Sequence, residues 1–314
     1  MAGSKLLFLT ILAPFFGLIS STCPPASQIS PCTCREDNPY GFSVLLCENL
    51  TDPEHLLKLA RASEGYEFGV VYIRHSNLEY IPKEVLSLIR MKELYLRNVS
   101  LNKLFDRPPA RPKELKMLTV KKGVIRSGVQ WDLFQNLRGL DSLMFSYVPI
   151  PVISQKFNQY VDHDLKRVFI DSADTQQVMS GAFKDFTNLE TISLRGNQIE
   201  LLQRDYFPTS FSGKVLRFRD NKLTSLPDNL FTQMPNLNWV DLRNNRLSSL
   251  TENTFSNLNK IGISVLLSGN PIKCDRRLKW IADKKNWTLT GTCASPKHLS
   301  GKKLKDLQPN DFDS

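Results

Sequence analysis

Four histidines are scattered along the chain, at His55, His75, His163 and His298, and none stands in a metal-ligand spacing or beside a nucleophile motif. No C-x-x-C pair occurs, and no glycine-rich phosphate loop, so the usual marks of zinc centres and nucleotide enzymes are missing. After residue 22 no apolar run approaches the ~20 residues that a bilayer-spanning helix needs. The C-terminus is polar and carries no lipid-anchor signal. The formal net charge is +10, yet no nucleic-acid-binding motif accompanies it. These absences predict a chain without catalytic residues, metal or cofactor, without a nucleic-acid partner and without a membrane span. A binding protein remains.

What is present begins with residues 1–22. Lys5 supplies a basic start, LLFLTILAPFFGLI an apolar stretch, and Ser20, Ser21 and Thr22 a small-residue cleavage zone, which reads as a secretory signal. A membrane anchor is the alternative, but Pro14 interrupts the short apolar run. The mature chain is therefore expected to be secreted and extracellular. Its six cysteines fit an oxidising compartment. Cys23, Cys32, Cys34 and Cys47 cluster near the new N-terminus, and Cys274 and Cys293 lie near the other end. Six cysteines allow fifteen pairings in principle, and location restricts these to pairs within each cluster. No free thiol is expected.

Between the clusters one phrase recurs. Leu189-ETISLRGNQI, then KVLRFRDNKL, LNWVDLRNNRL and SVLLSGNPI share L-x-x-L-x-L-x-x-N-x-L, with Asn197, Asn221, Asn245 and Asn270 spaced 24, 24 and 25 residues apart. This is the leucine-rich-repeat phrase. Apolar residues at positions 1, 4, 6 and 11 point inward and stack on neighbouring repeats, because no single repeat can bury its own face. The asparagine amide serves turn backbone that burial would otherwise leave unpaired. The four asparagines thus read as a ladder within the scaffold.

The phrase extends upstream without a break. Repeats start at residues 68, 91, 115, 140, 165, 189, 213, 237 and 262, intervals of 23 to 25. In the first five, Ser76, Val99, Gly123, Val148 and Ala173 stand where asparagine is expected. Those repeats keep the core and lose the ladder, so their turns should be less uniform and their curvature different. The expected fold is an α/β solenoid, a leucine-rich-repeat horseshoe of about nine repeats with disulfide-bonded N- and C-terminal caps. Its expected organisation is signal 1–22, cysteine-rich N-cap 23–67, repeats 68–272, and C-cap with basic tail 273–314. Residues 52–62 suggest a helix capped by Asp52. Phe134, Phe183, Phe207, Phe231 and Phe255 recur in the outer half of the repeats and suggest a packed spine.

Alternate strand residues face the concave side. Position 5 there carries Tyr72, Tyr95, Met144 and Phe169, then Arg217, Asp241 and Leu266. Position 7 is mostly basic, with Arg74, Arg97, Lys121, Arg195, Arg219 and Arg243, and Trp239 lies at position 3. Large side chains on a strand face open to water mark a contact surface, so Tyr72, Tyr95, Met144, Phe169, Arg195, Arg217, Arg219, Trp239 and Arg243 are candidate partner-binding residues. The plainer alternative is that the rings stack on one another and the arginines pair with Glu93, Asp220 and Asp241. A second candidate is electrostatic. Residues 273–305 carry +8, with ten basic residues against Asp275 and Asp283. Arg276, Arg277, Lys279, Lys284, Lys285, Lys302, Lys303 and Lys305 form a candidate site for sulfated glycans or an anionic cell surface, unless they are merely a solvated basic face. Asn49, Asn98 and Asn286 open sequons for N-glycosylation. Asn98 falls near the concave rim, which moves the favoured contact surface toward Phe169 and beyond.

Two segments carry resemblances. NPIKCDRRLKWIADKKNW resembles the opening of extracellular leucine-rich-repeat C-caps, N-P-x-x-C followed by L-x-W, here Leu278 and Trp280. Arg276 occupies the place of a second cysteine in the four-cysteine version, which implies one bridge fewer and a looser cap. CPPASQISPCTC is similar to the cap of the non-catalytic leucine-rich-repeat subunit of Oplophorus-luciferin 2-monooxygenase and of similar secreted arthropod proteins. Resemblance to leucine-rich-repeat N-caps implies the pairs Cys23–Cys34 and Cys32–Cys47, leaving Cys274–Cys293 as the only local choice. In the luciferase family the chemistry resides in a separate small subunit. The resemblance therefore implies a non-catalytic accessory or scaffold protein that binds a protein partner.

Overall fold

The computed structural model describes residues 23–37, 42–110, 112, 114–258 and 262–312, so the expected secretory signal lies outside the described residues. The chain forms the expected leucine-rich-repeat horseshoe. Each repeat contributes one strand to a single concave sheet, running from Glu67–Arg74 in repeat 1 to Ser264–Leu266 in repeat 9. Both caps extend it. Phe42–Glu48 pairs parallel with repeat 1 and is backed by the antiparallel strand Thr33–Asp37, and Thr288–Thr290 pairs parallel with repeat 9. The sheet has twelve strands.

Positions 1, 4, 6 and 11 are buried almost throughout, from Phe68, Val71, Ile73 and Leu78 in repeat 1 to Val265, Leu267 and Ile272 in repeat 9. Repeat 5 departs at position 11, where Thr175 is fully buried and its hydroxyl donates to Ile150 O at 2.7 Å, so no polar group there goes unpaired. The five spine phenylalanines are buried as expected, and Phe105 and Phe157 join them, with Phe105–Phe134 centroids 6.3 Å apart and Phe157–Phe183 5.4 Å apart. At the C-terminal end Phe255 stacks on Trp280 at 5.6 Å, carrying the aromatic packing into the cap.

The caps are closed by Cys23–Cys34, Cys32–Cys47 and Cys274–Cys293. The helix Pro53–Ala62 crosses behind the first strands, and Asp52 caps it by accepting from the Glu54 N–H at 2.9 Å. Arg276, standing where another bridge was looked for, donates from Nε to Phe312 O at 3.3 Å. Together with the Lys302–Asp311 ion pair at 2.6 Å, this contact ties the C-terminal tail back onto the cap.

Every repeat leaves its strand through the same backbone conformation. Position 8 has positive φ in all nine repeats, between 50° at His75 and 77° at Gly269, and Asn49 matches it in the N-cap. Only repeats 6 and 9 place glycine there; the others hold residues as large as Tyr147 and Lys122 in a region most side chains avoid. The conformation aims the position-8 N–H at the position-7 carbonyl of the next repeat. This bond runs unbroken from Asn49→Arg74 (3.2 Å) through Tyr147→Asp171 (3.1 Å) to Asn244→Ser268 (2.8 Å).

Past this bond the two halves of the horseshoe turn differently. In the ladder half, each asparagine Nδ2 donates to its own position-6 carbonyl and to that of the preceding repeat. For Asn245 these are Leu242 O (3.0 Å) and Phe218 O (2.9 Å), and its Oδ1 accepts from Leu223 N at 3.0 Å. In repeats 6 to 8 the position-10 N–H then bonds the position-11 carbonyl of the repeat before it, as Arg246→Leu223 at 2.8 Å, and in repeat 9 Pro271 has no N–H to give. At the N-terminal end of the ladderless half, the position-10 N–H bonds the position-9 carbonyl instead, as Ser100→Ser76 and Val124→Val99 at 2.9 Å. Small flank sheets form there, Asn77–Leu78 with Ser100–Leu101 and Val124–Ile125, and Val152–Ile153 with Gln177–Val178. The concave strands are eight residues long in repeats 1 and 2, and three in repeats 6 to 9. Turn bonding is thus less uniform in the first half. Ser76 is a partial substitute for asparagine: its Oγ accepts from Leu50 N at 3.0 Å and donates to Arg74 O at 2.7 Å.

Asn245→Ala leaves the Leu223 N–H unpaired in the interior and takes one of two donors from each of Phe218 O and Leu242 O, which keep Asn221 and Asn270, so it is expected to cost roughly 2 kcal/mol in urea unfolding. Hydrogen exchange at the Leu223 amide should quicken specifically; unchanged exchange there would remove the asparagine from the account of turn stability.

Candidate functional site

The concave sheet is the widest among the described residues, twelve strands against two or three, but it is not evenly open. At position 5, Tyr72, Tyr95, Met144 and Phe169 are half-buried and Arg217 is exposed, whereas Thr119, Ser193, Asp241 and Leu266 are buried. Tyr72 and Tyr95 lie in register on adjacent strands, with ring centroids 5.3 Å apart, and the Arg74 guanidinium sits 4.8 Å above Tyr72. Arg243 is held by Asp241 through two short bonds, Nε–Oδ1 at 2.8 Å and Nη2–Oδ2 at 2.6 Å, and Arg219 Nε lies 3.1 Å from Asp220. For these five residues the plainer expectation of internal stacking and pairing is what the structure contains. Glu93 makes no ion pair among the described residues, and burial holds its pKa above the usual carboxylate range.

Arg195, Arg217 and Trp239 remain open. Trp239 is 38% exposed, and the Arg195 and Arg217 side chains have no partner among the described residues. Register places Phe169, Ser193 and Arg217 in one row across three neighbouring strands, with Trp239 on the next strand beyond. Ser193 is small and its hydroxyl is occupied, donating to Asp171 Oδ1 at 2.7 Å. The row is therefore a shallow saddle, with the main chains of Phe169 and Arg217 about 10 Å apart across a buried serine.

The candidate glycosylation residues Asn49, Asn98 and Asn286 are all exposed. Asn49 and Asn98 both occupy the position-8 rim, two repeats apart, and Asn98 Nδ2 lies 2.9 Å from His75 Nδ1.

The basic C-cap does not present its charges as one free patch. Arg277 is bound by Asp275 at 2.7 Å, and Lys302 by Asp311 at 2.6 Å. Lys285 donates to Leu307 O at 3.0 Å, and Lys284 lies 5.6 Å from the Trp287 ring centre. Lys303 and Lys305 are exposed and without a partner among the described residues. They line a cavity of 590 Å³ at the end of the concave sheet, together with Ser268, Trp287, Thr288 and Thr290. Sequence reasoning did not single out those four residues. The phrase had ended at Ile272, so no register marked 288–290 as another strand.

The histidines stay apart, with His163 Nε2 2.6 Å from Asn158 O and its ring edge-on to Phe186. Among the described residues no helix is long and apolar enough to cross a membrane.

Comparison with known proteins agrees with the architecture. A family model described as "Leucine rich repeat" matches residues 214–272. Comparison with curated proteins finds no match. Among solved structures, a chain of the octameric complex of Latrophilin 3 (Lec, Olf), Unc5D (Ig, Ig2, TSP1) and FLRT2 (LRR) is similar, with 18% identity and a TM-score of 0.61 over 87% of this chain and 91% of that one. At that identity the likeness shows the shared fold.

Hydrogen bonds hold two cap carboxyls below their usual pKa range, Asp311 mainly through Lys302 and then the Gln308 N–H, and Asp275 mainly through Arg277. A depressed carboxyl contributes stability above its unfolded-state pKa and loses it as pH falls through the folded-state value. Acidification should therefore release the tail around Gln308 before the repeats loosen. Hydrogen exchange checks this: the Gln308 amide is expected to quicken at a higher pH than that of Val240, whereas parallel pH profiles would count against it.

Proposed function

We propose that the chain is a secreted, non-catalytic leucine-rich-repeat protein that binds an extracellular protein partner through the middle and C-terminal part of its concave face. The observation that carries this reading is the saddle of Phe169, Arg195, Arg217 and Trp239. Arg195, Arg217 and Trp239 are open and Phe169 is half-buried in the same row as Arg217, whereas Tyr72, Arg74, Arg219 and Arg243 are engaged within the chain. Tryptophan and arginine are the side chains that most often dominate protein–protein binding energy, and an aromatic anchor beside a guanidinium suits that role. Sugars on Asn49 and Asn98 would project from the N-terminal rim and leave this part clear.

Two further points support the reading. The fold is shared with a chain from a complex of FLRT2 with Latrophilin 3 and Unc5D. The N-cap resemblance to a luciferase-associated subunit points the same way, to an accessory or scaffold protein beside other chains. The second reading, a matrix or cell-surface component held by anionic glycans, rests on the +8 carried by residues 273–305. It is weakened because Arg277 and Lys302 are already paired with carboxylates.

The test is capture of the partner from the native secretion with the full chain as bait. Phe169→Ala/Trp239→Ala is expected to weaken capture by about tenfold or more, with an unchanged circular-dichroism melt, while Tyr72→Ala/Tyr95→Ala leaves capture nearly intact. Capture that survives the first pair, but is released by salt or lost on charge reversal in the C-cap, would move the function to the glycan reading.

A further inference from the structure

Sheets have two edges, and here the two are treated differently. The N-terminal edge strand Thr33–Asp37 carries exposed Arg35 and Glu36, charged side chains of the kind that discourage edge pairing. The C-terminal edge strand, Thr288–Thr290, carries no charge, and among the described residues its one strand neighbour is repeat 9. Thr288 N bonds Ile263 O at 2.8 Å and Leu267 N bonds Thr290 O at 3.2 Å, so both threonines turn their main chain toward repeat 9. In a parallel pair the intervening residue turns the other way. The Leu289 N–H and C=O therefore point off the edge, and neither has a partner among the described residues. Just beyond, the edge is closed, because Leu304 N bonds Gly291 O at 3.0 Å and Lys303 bridges antiparallel to Thr292.

Leu289, 6% exposed overall, borders the 590 Å³ cavity, whose lining also includes Ser268, Trp287, Thr288, Thr290, Lys303 and Lys305. Neighbouring C-cap cations are engaged by Asp275, Asp311, the Leu307 carbonyl or the Trp287 ring, but these two are not. We propose that this cavity is a binding site for an extended acidic peptide segment of a partner protein, which lies along Thr288–Thr290 and pairs its main chain with Leu289. Its carboxylates meet Lys303 and Lys305. Charge complementarity selects the acid, and the single outward donor–acceptor pair on an uncharged strand edge selects an extended main chain over a sugar. The site is separate from Phe169 and Arg217, whereas Trp239 lies outside the cavity's lining but stands two strands away in one row with Ser264 and Thr288.

The test uses the full secreted chain and short random peptides displayed on phage. Selection is expected to enrich acidic sequences. Lys303→Glu/Lys305→Glu should weaken their binding about tenfold or more, and so should N-methylation of alternate peptide nitrogens, whereas Phe169→Ala, five strands away, leaves it unchanged. Lys303→Ala/Lys305→Ala, which alters no buried group, guards against misfolding and should give a smaller loss of the same sign. Failure to enrich any peptide overturns the proposal, as does enrichment without acidic residues or binding that survives both lysine variants. Heparin oligosaccharides whose binding alone depends on Lys303 and Lys305 would also overturn it, by assigning the cavity to sulfated sugars. Loss of partner capture with Phe169→Ala/Trp239→Ala tests the saddle separately, so each can fail without the other.

Discussion

One main-chain bond is repeated along the whole molecule, and the rest of the structure depends on it. The position-8 residue turns to positive φ and gives its N–H to the position-7 carbonyl of the next repeat, from the N-cap through repeat 8. Side-chain identity does not make this bond, since histidine, lysine, tyrosine and glycine all occupy the position. The conformational cost borne by residues such as Tyr147 is offset because the surrounding stack fixes the backbone on both sides. With the strand ends pinned, positions 4 and 6 must meet their counterparts in neighbouring repeats, and the apolar column closes.

Two solutions then satisfy the turn beyond the strand. An asparagine supplies two donors and one acceptor from one buried amide, so the strand can end after three residues. Without it, the same backbone needs main-chain partners, and it finds them in flank strands that pair in register with the next repeat. Strand length, flank sheets and the Ser76 contact are connected through one requirement, that buried N–H and C=O groups be paired.

The surfaces are set by the groups this scaffold leaves over. On the concave face, register brings like positions together, so Tyr72 meets Tyr95, while position 5 of repeats 6 and 8 is buried as Ser193 and Asp241. The remaining large groups gather around Phe169, Arg217 and Trp239. In the C-cap, the tail folds back and its carboxylates consume cations that look free on paper. Charge that a composition places in one segment is thus divided by the fold into engaged groups and exposed lysines, of which Lys303 and Lys305 stand beside the strand edge.

Much of the architecture was legible because it is periodic. Spacings of 23 to 25 fix the strands, the inward residues and the phenylalanine column, and Asn197 through Asn270 announce their own turn bonds. The candidate site was legible only as a list of outward positions. Tyr72 and Arg217 occupy the same phrase position, yet one is stacked and the other open, because the difference lies in what stands on the adjacent strand. The sequence by itself determined the repeat register, the buried column and the places of the caps, since each is dictated by residue type at a fixed interval. Only the tertiary structure decided which cations are spent on neighbours, that 288–290 is a strand, and that its outer edge stays unpaired. Those properties depend on contacts between segments whose separation obeys no period.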